Sequence, residues 1–385
     1  MSFCDYGYMS MIEIIGNERT FGLVLSNVIL MLIVYFCFKN AKKYPFIIFS
    51  KTNKLLGISS LFLFFLFAFW GNDWFHVAEF YPLLRAGDRT HMEDVYSWIA
   101  QNLAPNYLVF RTIIWGACLF LLKLIFDRFD IKKDLLWLMF SVFGAVWCSY
   151  ARVSLAMCLM FYGLAVFFSP YKQKYLSYII AITAISASYY FHKSALFGII
   201  IVAFATIIRK VNRYTIILFV LSIPFILVVL KNMVSELQFA DADDINGTLS
   251  KSITSAQGYM GRDAGVAGIG ALLLKILERT AYILTGILAL LMIVKDKKIN
   301  CSPVINAFLR LDIFMVFISC LFLFDIGIET SIIAERFFRF LFIPTGILIA
   351  YFWQIRYRMR LTKISFVLAI LYSSYALLYS LYMYR

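Results

Sequence analysis

The residues best equipped for chemistry in this sequence are Phe191-His192-Lys193-Ser194-Ala195-Leu196. They separate two apolar runs, 175–190 and 195–208, with almost no loop between them. A histidine and a lysine are thereby held at the lip of a low-dielectric layer, where ionisable groups are costly and mark function. Imidazole titrates near neutrality and can take a proton, and the ammonium supplies a point charge. Other cations stand at the ends of further apolar runs. Arg152 fills the short connection between runs 135–150 and 154–168, and Arg111 and Lys231 stand at the ends of two more. Lys275 and Arg279 are spaced i, i+4, and Arg336 and Arg339 are spaced i, i+3. Each spacing puts both cations of a pair on one helix face. Together they suit an anionic ligand, because the arginine fork matches phosphate oxygens and lysine adds charge. A plainer requirement is met by the same residues, since Arg and Lys also bury their stems and snorkel to the interface.

Carboxylates supply partners and bases. Glu278 adjoins Arg279, and Glu335 is i, i+4 from Arg339, spacings that suit salt bridges making a buried charge tolerable. In segment 71–106, Asp73, His76, Glu79, Asp88, His91, Glu93 and Asp94 mix with Trp74, Phe80, Tyr81, Tyr96 and Trp98. Acids and imidazoles can do acid–base work, and aromatic faces can stack on sugars; the same composition also makes a solvated amphipathic cap. Three other signals carry less. Asp241-Ala242-Asp243-Asp244 reads as solvated charge rather than a metal site. Gly265-Val266-Ala267-Gly268-Ile269-Gly270 follows no strand, so it is not a nucleotide fingerprint. Asn246-Gly247-Thr248 matches a glycosylation sequon by chance.

The elements that must position these residues are membrane helices. The chain has 385 residues, 62% of them hydrophobic, and a mean hydropathy of +0.82. A spanning helix needs about 20 apolar residues. Twelve runs qualify: 21–38, 55–70, 107–126, 135–150, 154–168, 175–190, 195–208, 214–231, 271–294, 304–324, 338–354 and 364–382. They are continuous rather than alternating, which excludes a β-barrel. The expected fold is therefore all-α, a single polytopic integral membrane domain over residues 1–385. Pro224 and Pro344 are its mid-span prolines, at positions that do not correspond, and no internal repeat is evident.

Charge orients the runs. One set of alternate loops holds twenty cations and four acids; the other holds nine cations and sixteen acids. By the positive-inside rule the first set is cytoplasmic. Both termini then lie outside, as do the long loops 71–106 and 232–270 and all three histidines, His76, His91 and His192. The net charge of +14 is accounted for by these short loops, so no nucleic-acid partner is expected. The seven cysteines form no C-x-x-C pair and lie mostly in apolar runs, as buried small hydrophobes do. No metal and no cofactor is called for. Asp5, Glu13 and Glu18 precede the first apolar run where a signal peptide would be basic.

Two motifs then carry a family resemblance. Ala151-Arg152-Val153-Ser154-Leu155-Ala156, followed forty residues later by the Phe191–Leu196 stretch, resembles the EpsG/Wzy group of polysaccharide polymerases, which read Arg-x-x-x-Ala entering one span and Phe-His-x-Ser-Ala/Leu between two later ones. Gly71-Asn72-Asp73 resembles the family's Gly-x-Asp, and Pro105-Asn106-Tyr107 its Glu-Pro-Gly-Tyr. Glu335-Arg336-Phe337-Phe338-Arg339 resembles its Arg-containing entry to a late span. Ala104 replaces the usual Glu and Asn106 the Gly, so any role of that acid is absent or relocated.

The resemblance implies an O-antigen or capsule repeat-unit polymerase of a bacterial inner membrane, with its active site facing the periplasm. It implies transfer of a growing glycan from undecaprenyl pyrophosphate to the nonreducing end of another lipid-linked repeat unit. Its partners would be that donor and acceptor, the bilayer, and a chain-length regulator protein. Arg152, Lys193, Arg279, Arg336 and Arg339 would bind the pyrophosphate and stabilise its developing charge. A base is needed for the acceptor hydroxyl; His192 is the first candidate, with Asp73 and Glu335 as alternatives. His192 can equally bind phosphate beside Lys193. A flippase for lipid-linked oligosaccharides would also want a cationic cavity, though nearer the midplane. A membrane O-acyltransferase would want a histidine facing inward, and none does.

Overall fold

In a computed structural model the described residues are 72–87, 92–133, 135–137, 139–140, 151–192, 195, 269–294, 301–325 and 340–383, with single positions 203, 214 and 222. Among them every regular element is a helix and none is a strand. In chain order these are α1 (Asn72–Arg85), α2 (Asp94–Asn102), α3 (Tyr107–Phe126), α4 (Ala151–Phe168), α5 (Lys174–Phe191), α6 (Ile269–Val294), α7 (Pro303–Asp325), α8 (Phe342–Gln354) and α9 (Met359–Met383). Expected runs 21–38, 55–70, 195–208 and 214–231 fall wholly or almost wholly outside the described residues.

The helices form for local reasons. Asn106 caps α3, its Oδ1 accepting from the Val109 N–H at 2.9 Å. That satisfies one of the donors a helix start leaves open, and it explains the use of Asn where the resembled motif has Gly. α3 spans the same residues as the expected run. α4 begins at Ala151 rather than 154, which moves Arg152 from a connecting loop into the first helical turn. α8 begins at Phe342 rather than 338. Pro344 is consequently a first-turn proline and not a mid-span one; there its missing N–H breaks no internal hydrogen bond.

Two of these helices, Tyr107–Phe126 and Ile276–Val294, are long and apolar enough to cross a membrane, and Arg152–Phe168 and Phe342–Gln354 are shorter apolar helices. One continuous apolar core runs through them, from Tyr96, Phe110 and Trp115 through Phe161 and Phe308 to Phe342 and Phe366. Interior packing is tight where helices meet at glycine. A Cβ on Gly163 of α4 would come within 2.7 Å of the Ala181 carbonyl on α5. On Gly286 of α6 it would meet Val316 of α7 at 2.9 Å. The opposite face of α5 is exposed and apolar along Leu176, Ile179 and Ile182, a surface suited to lipid.

Hydrogen bonds show which helix ends share an end of the bundle. Arg128, just past α3, donates to the Ser169 carbonyl just past α4 at 3.2 Å and covers the Tyr171 ring at 3.3 Å. Gln354, closing α8, donates to the Asp130 carbonyl at 3.1 Å and accepts from the Lys132 N–H at 2.7 Å. Lys133 donates to the Phe126 carbonyl and approaches Asp127 at 3.8 Å. Three connections grouped together by the charge pattern of the sequence therefore meet in space. The turn at this end is strained: Arg356 and Arg358 have φ of 54° and 39°, a left-handed region that costs a non-glycine residue about 1 kcal/mol or more.

Candidate functional site

The opposite end holds the candidate site, and one tyrosine gathers it. Tyr96 lies on the inward face of α2 and is 1% exposed. Its hydroxyl donates to the Arg152 carbonyl at 3.0 Å in the first turn of α4. The edge of its ring packs on Phe191, the last residue of α5, with centroids 5.9 Å apart, and on Phe110 of α3 at 6.4 Å. Two sequence motifs forty residues apart thus meet on one side chain. Geometry makes this inevitable once α4 and α5 pack antiparallel with a short turn, because the start of one must lie beside the end of the other.

His192 is half-buried and ends α5. Its backbone is extended and its N–H still bonds the Ser188 carbonyl at 3.0 Å. Its own carbonyl accepts from the Ala195 N–H at 2.9 Å. The residue is therefore fixed through its main chain at the point where helix gives way to turn. Arg152 is likewise half-buried, and Tyr96 fastens its carbonyl, so the base of that side chain is anchored.

The segment between α1 and α3 is tied down around this point. Tyr81 of α1 donates to the Ala104 carbonyl at 2.6 Å, and Arg85 donates to the Pro105 carbonyl at 2.7 Å. Burial raises the Tyr81 hydroxyl above its ordinary range while Arg85 opposes the rise, so the group remains a donor. Tyr81 stacks edgewise on Tyr107 at 5.9 Å, and the Arg111 guanidinium lies 5.7 Å from the Tyr107 ring. Arg111 is itself buried, on the side of α3 that faces its neighbours. The described parts of segment 71–106 are therefore two helices with one face packed on the bundle and the other exposed, as in the amphipathic cap that its composition also allowed.

The remaining candidates are distributed differently. Asp73 lies in the first turn of α1, and its side chain is outside the described set. Lys193, Glu335, Arg336 and Arg339 lie outside the described residues, as does the side chain of Lys275. Arg279 is half-buried on α6, a helix packed chiefly against α7, α8 and α9. Its neighbour Glu278 accepts a hydrogen bond from Tyr372 of α9 at 2.8 Å. The structure thus joins Arg152 to the His192 turn and sets Arg279 among the C-terminal helices. No group of three or more His, Cys, Asp or Glu that could hold a metal occurs among the described residues.

Sequence reasoning passed over two positions. Tyr96 gave no signal beyond being one aromatic among several. Asp312 gave a clear one, a lone carboxylate within the apolar run of α7. It is fully buried, and Oδ1 accepts from Thr345 of α8 at 3.0 Å. Nearby, Thr285 of α6 and Ser365 of α9 share a hydrogen bond of 2.8 Å. Polar pairs of this kind between apolar helices are typical of membrane bundles.

Among the described residues every element is a helix, two are long and apolar enough to cross a membrane, and polar pairs join the apolar helices internally, which together mark an all-helical membrane protein. The chain belongs to the EpsG family, whose model matches residues 53–385 and so takes in every candidate site residue named above. That membership points to a polysaccharide polymerase-like function. No curated protein and no solved structure matches the chain.

Proposed function

We propose that this protein is a membrane glycosyltransferase that polymerises O-antigen or capsular repeat units at the outer face of a bacterial inner membrane. The observation that carries the reading is the meeting of Arg152 with the Phe191–His192 turn on Tyr96. Family membership supplies the glycan class. In this reading the growing chain leaves undecaprenyl pyrophosphate and passes to a hydroxyl at the nonreducing end of another lipid-linked unit. The acceptor oxygen forms a bond to the anomeric carbon, the bond from that carbon to the pyrophosphate oxygen breaks, and the hydroxyl proton leaves.

The residues divide the work by charge. Arg152 and Lys193 hold the departing phosphates, where preorganised cations stabilise charge as it develops. Arg279, Arg336 and Arg339 extend that cationic set. His192 takes the hydroxyl proton, a step worth about 10²–10⁴-fold in rate, with the carboxylates of Asp73 and Glu335 as the alternatives. No cofactor or metal enters this scheme. A chain-length regulator would act as partner from outside the bundle.

A second reading, a flippase for the same lipid-linked oligosaccharide, draws on Asp312. A buried carboxylate deep in an apolar helix is a common feature of transport paths. Reconstitution separates the two. Purified protein in liposomes containing lipid-linked repeat units gives a ladder of longer glycans if it polymerises. Movement of the lipid across the bilayer with no ladder refutes the polymerase. A ladder that survives unchanged in both His192→Ala and Arg152→Ala refutes the site.

A further inference from the structure

Helix α2 has a second face that the site at Arg152 does not use. Among the described aromatic side chains of segment 72–106, Tyr81 and Tyr96 are buried and Phe80 is half-buried, whereas Trp98 is 55% exposed. Trp98 lies two residues after Tyr96, which on a helix turns it to the opposite side. Asp94, Gln101 and Asn102 stand four before, three after and four after Trp98, and all three are exposed. These spacings place the four side chains on one face. One amide is bonded and the other lies close to a neighbouring glycine. Asn102 Nδ2 donates to the Trp98 carbonyl at 2.9 Å. Gln101 Nε2 packs against Gly87 so closely that a Cβ there would come within 2.8 Å of it. Gly87 has φ of +96°, so that close approach is reserved for glycine.

We propose that this face of α2 is a glycan-binding subsite, with Trp98 as the platform and Asp94, Gln101 and Asn102 as its hydrogen-bonding rim. The chemistry selects the occupant. An indole gives a broad apolar surface with specific geometry, which matches the C–H face of a pyranose. Carboxylate and carboxamide groups donate to and accept from vicinal hydroxyls. A phosphate or an anionic lipid headgroup would meet Asp94, and α2 itself carries no Lys or Arg to offset it. A purely apolar partner would cover three polar side chains while offering them no hydrogen-bonding group of its own, which is costly. A neutral polyhydroxylated chain satisfies all four.

Position sets which sugars are held. The buried face of the same helix is bonded to Arg152 through Tyr96. One helix, about 10–12 Å across with its side chains, separates Trp98 from the cluster at Arg152. The subsite therefore grips residues further along the glycan rather than the sugar next to the pyrophosphate. It rests on the polymerase reading for the identity of that glycan, and it makes affinity depend on glycan length.

The test uses the full chain in nanodiscs. Oligosaccharides are released by mild acid from the producing strain's own lipid-linked intermediates and divided into one-unit and multi-unit fractions. Calorimetric titration should show Trp98→Ala binding the multi-unit fraction about tenfold more weakly or worse, the factor that ~1.4 kcal/mol of lost binding gives. Trp98→Phe should recover most of the affinity, and the one-unit fraction should bind all three proteins alike. Because Trp98 is exposed, unchanged thermal unfolding of the variants is expected and verifies the fold. Equal affinity of Trp98→Ala and the unchanged protein for the multi-unit fraction overturns the subsite, as does failure of the unchanged protein to bind that fraction. Absence of chain growth in liposomes, with Trp98-dependent binding intact, would instead count against the polymerase reading alone.

Discussion

Tyr96→Phe is the sharpest perturbation the structure offers, because it removes one oxygen and leaves the ring. The lost bond is the 3.0 Å donation to the Arg152 carbonyl. A net hydrogen bond contributes about 0.5–1.5 kcal/mol, and the carbonyl is already part of a helix, so the stability loss should sit near the lower end. The ring contacts to Phe191 and Phe110 persist. Each such aromatic pair is worth about 0.5–1.5 kcal/mol beyond its buried area. Tyr96→Ala removes these as well and leaves a cavity at a site that is 1% exposed, for a total near 3–5 kcal/mol by analogy with large aromatic truncations. If Tyr96 only packs, activity should follow stability, with Tyr96→Phe close to normal. If it positions Arg152 against the His192 turn, Tyr96→Phe should lose activity well beyond its stability cost. Displacement by ~1 Å can cost about 10²-fold in rate. The assay pairs thermal unfolding in nanodiscs with initial rates of glycan elongation, separating kcat from KM for the lipid-linked donor. A fall in kcat of about tenfold or more with KM little changed is the expected result. Full kcat in Tyr96→Phe would refute the positioning role.

Other perturbations test the frame around the site. Gly163→Val should destabilise the α4–α5 pair by about 1–3 kcal/mol through overpacking, because even a Cβ would sit 2.7 Å from the Ala181 carbonyl; a lower unfolding temperature, with activity lost alongside it, is the check. Asp312→Asn should keep the acceptor for Thr345 and unfold within about 1 kcal/mol of the unchanged protein, whereas Asp312→Ala strands the buried Thr345 hydroxyl and should cost about 1–3 kcal/mol. Lipid flipping abolished by Asp312→Asn would favour the transport reading. Arg356→Gly should stabilise the protein by about 1 kcal/mol by relieving a left-handed residue; a raised midpoint of unfolding would bear this out.

Much of the fold was legible because membrane solvent leaves few choices. Continuous apolar runs must be helices when no water satisfies the backbone, so the run at 107–126 predicts α3 to the residue, and 175–190 predicts α5 to within one. Charge segregation grouped the connections after α3, α4 and α8, and hydrogen bonds from Arg128 and Gln354 bring those three together. Boundaries at Ala151 and Phe342 were harder, because the end of an apolar run is not the end of a helix. Polar first-turn residues such as Arg152 belong to the helix although they do not look apolar.

What the sequence determined by itself is the class of protein and its motif pair. Composition demanded a helical membrane bundle, and the Arg152 and His192 motifs carried the family to which the chain belongs. The tertiary structure decided what those motifs share. Local pattern cannot say that the start of α4 and the end of α5 meet on a tyrosine from α2, since a contact across more than fifty residues leaves no periodic trace. Nor can it sort the aromatic residues of segment 72–106. Helical spacing puts Tyr96 and Trp98 on opposite faces, but only burial shows that Tyr96 faces the site and Trp98 faces away from it.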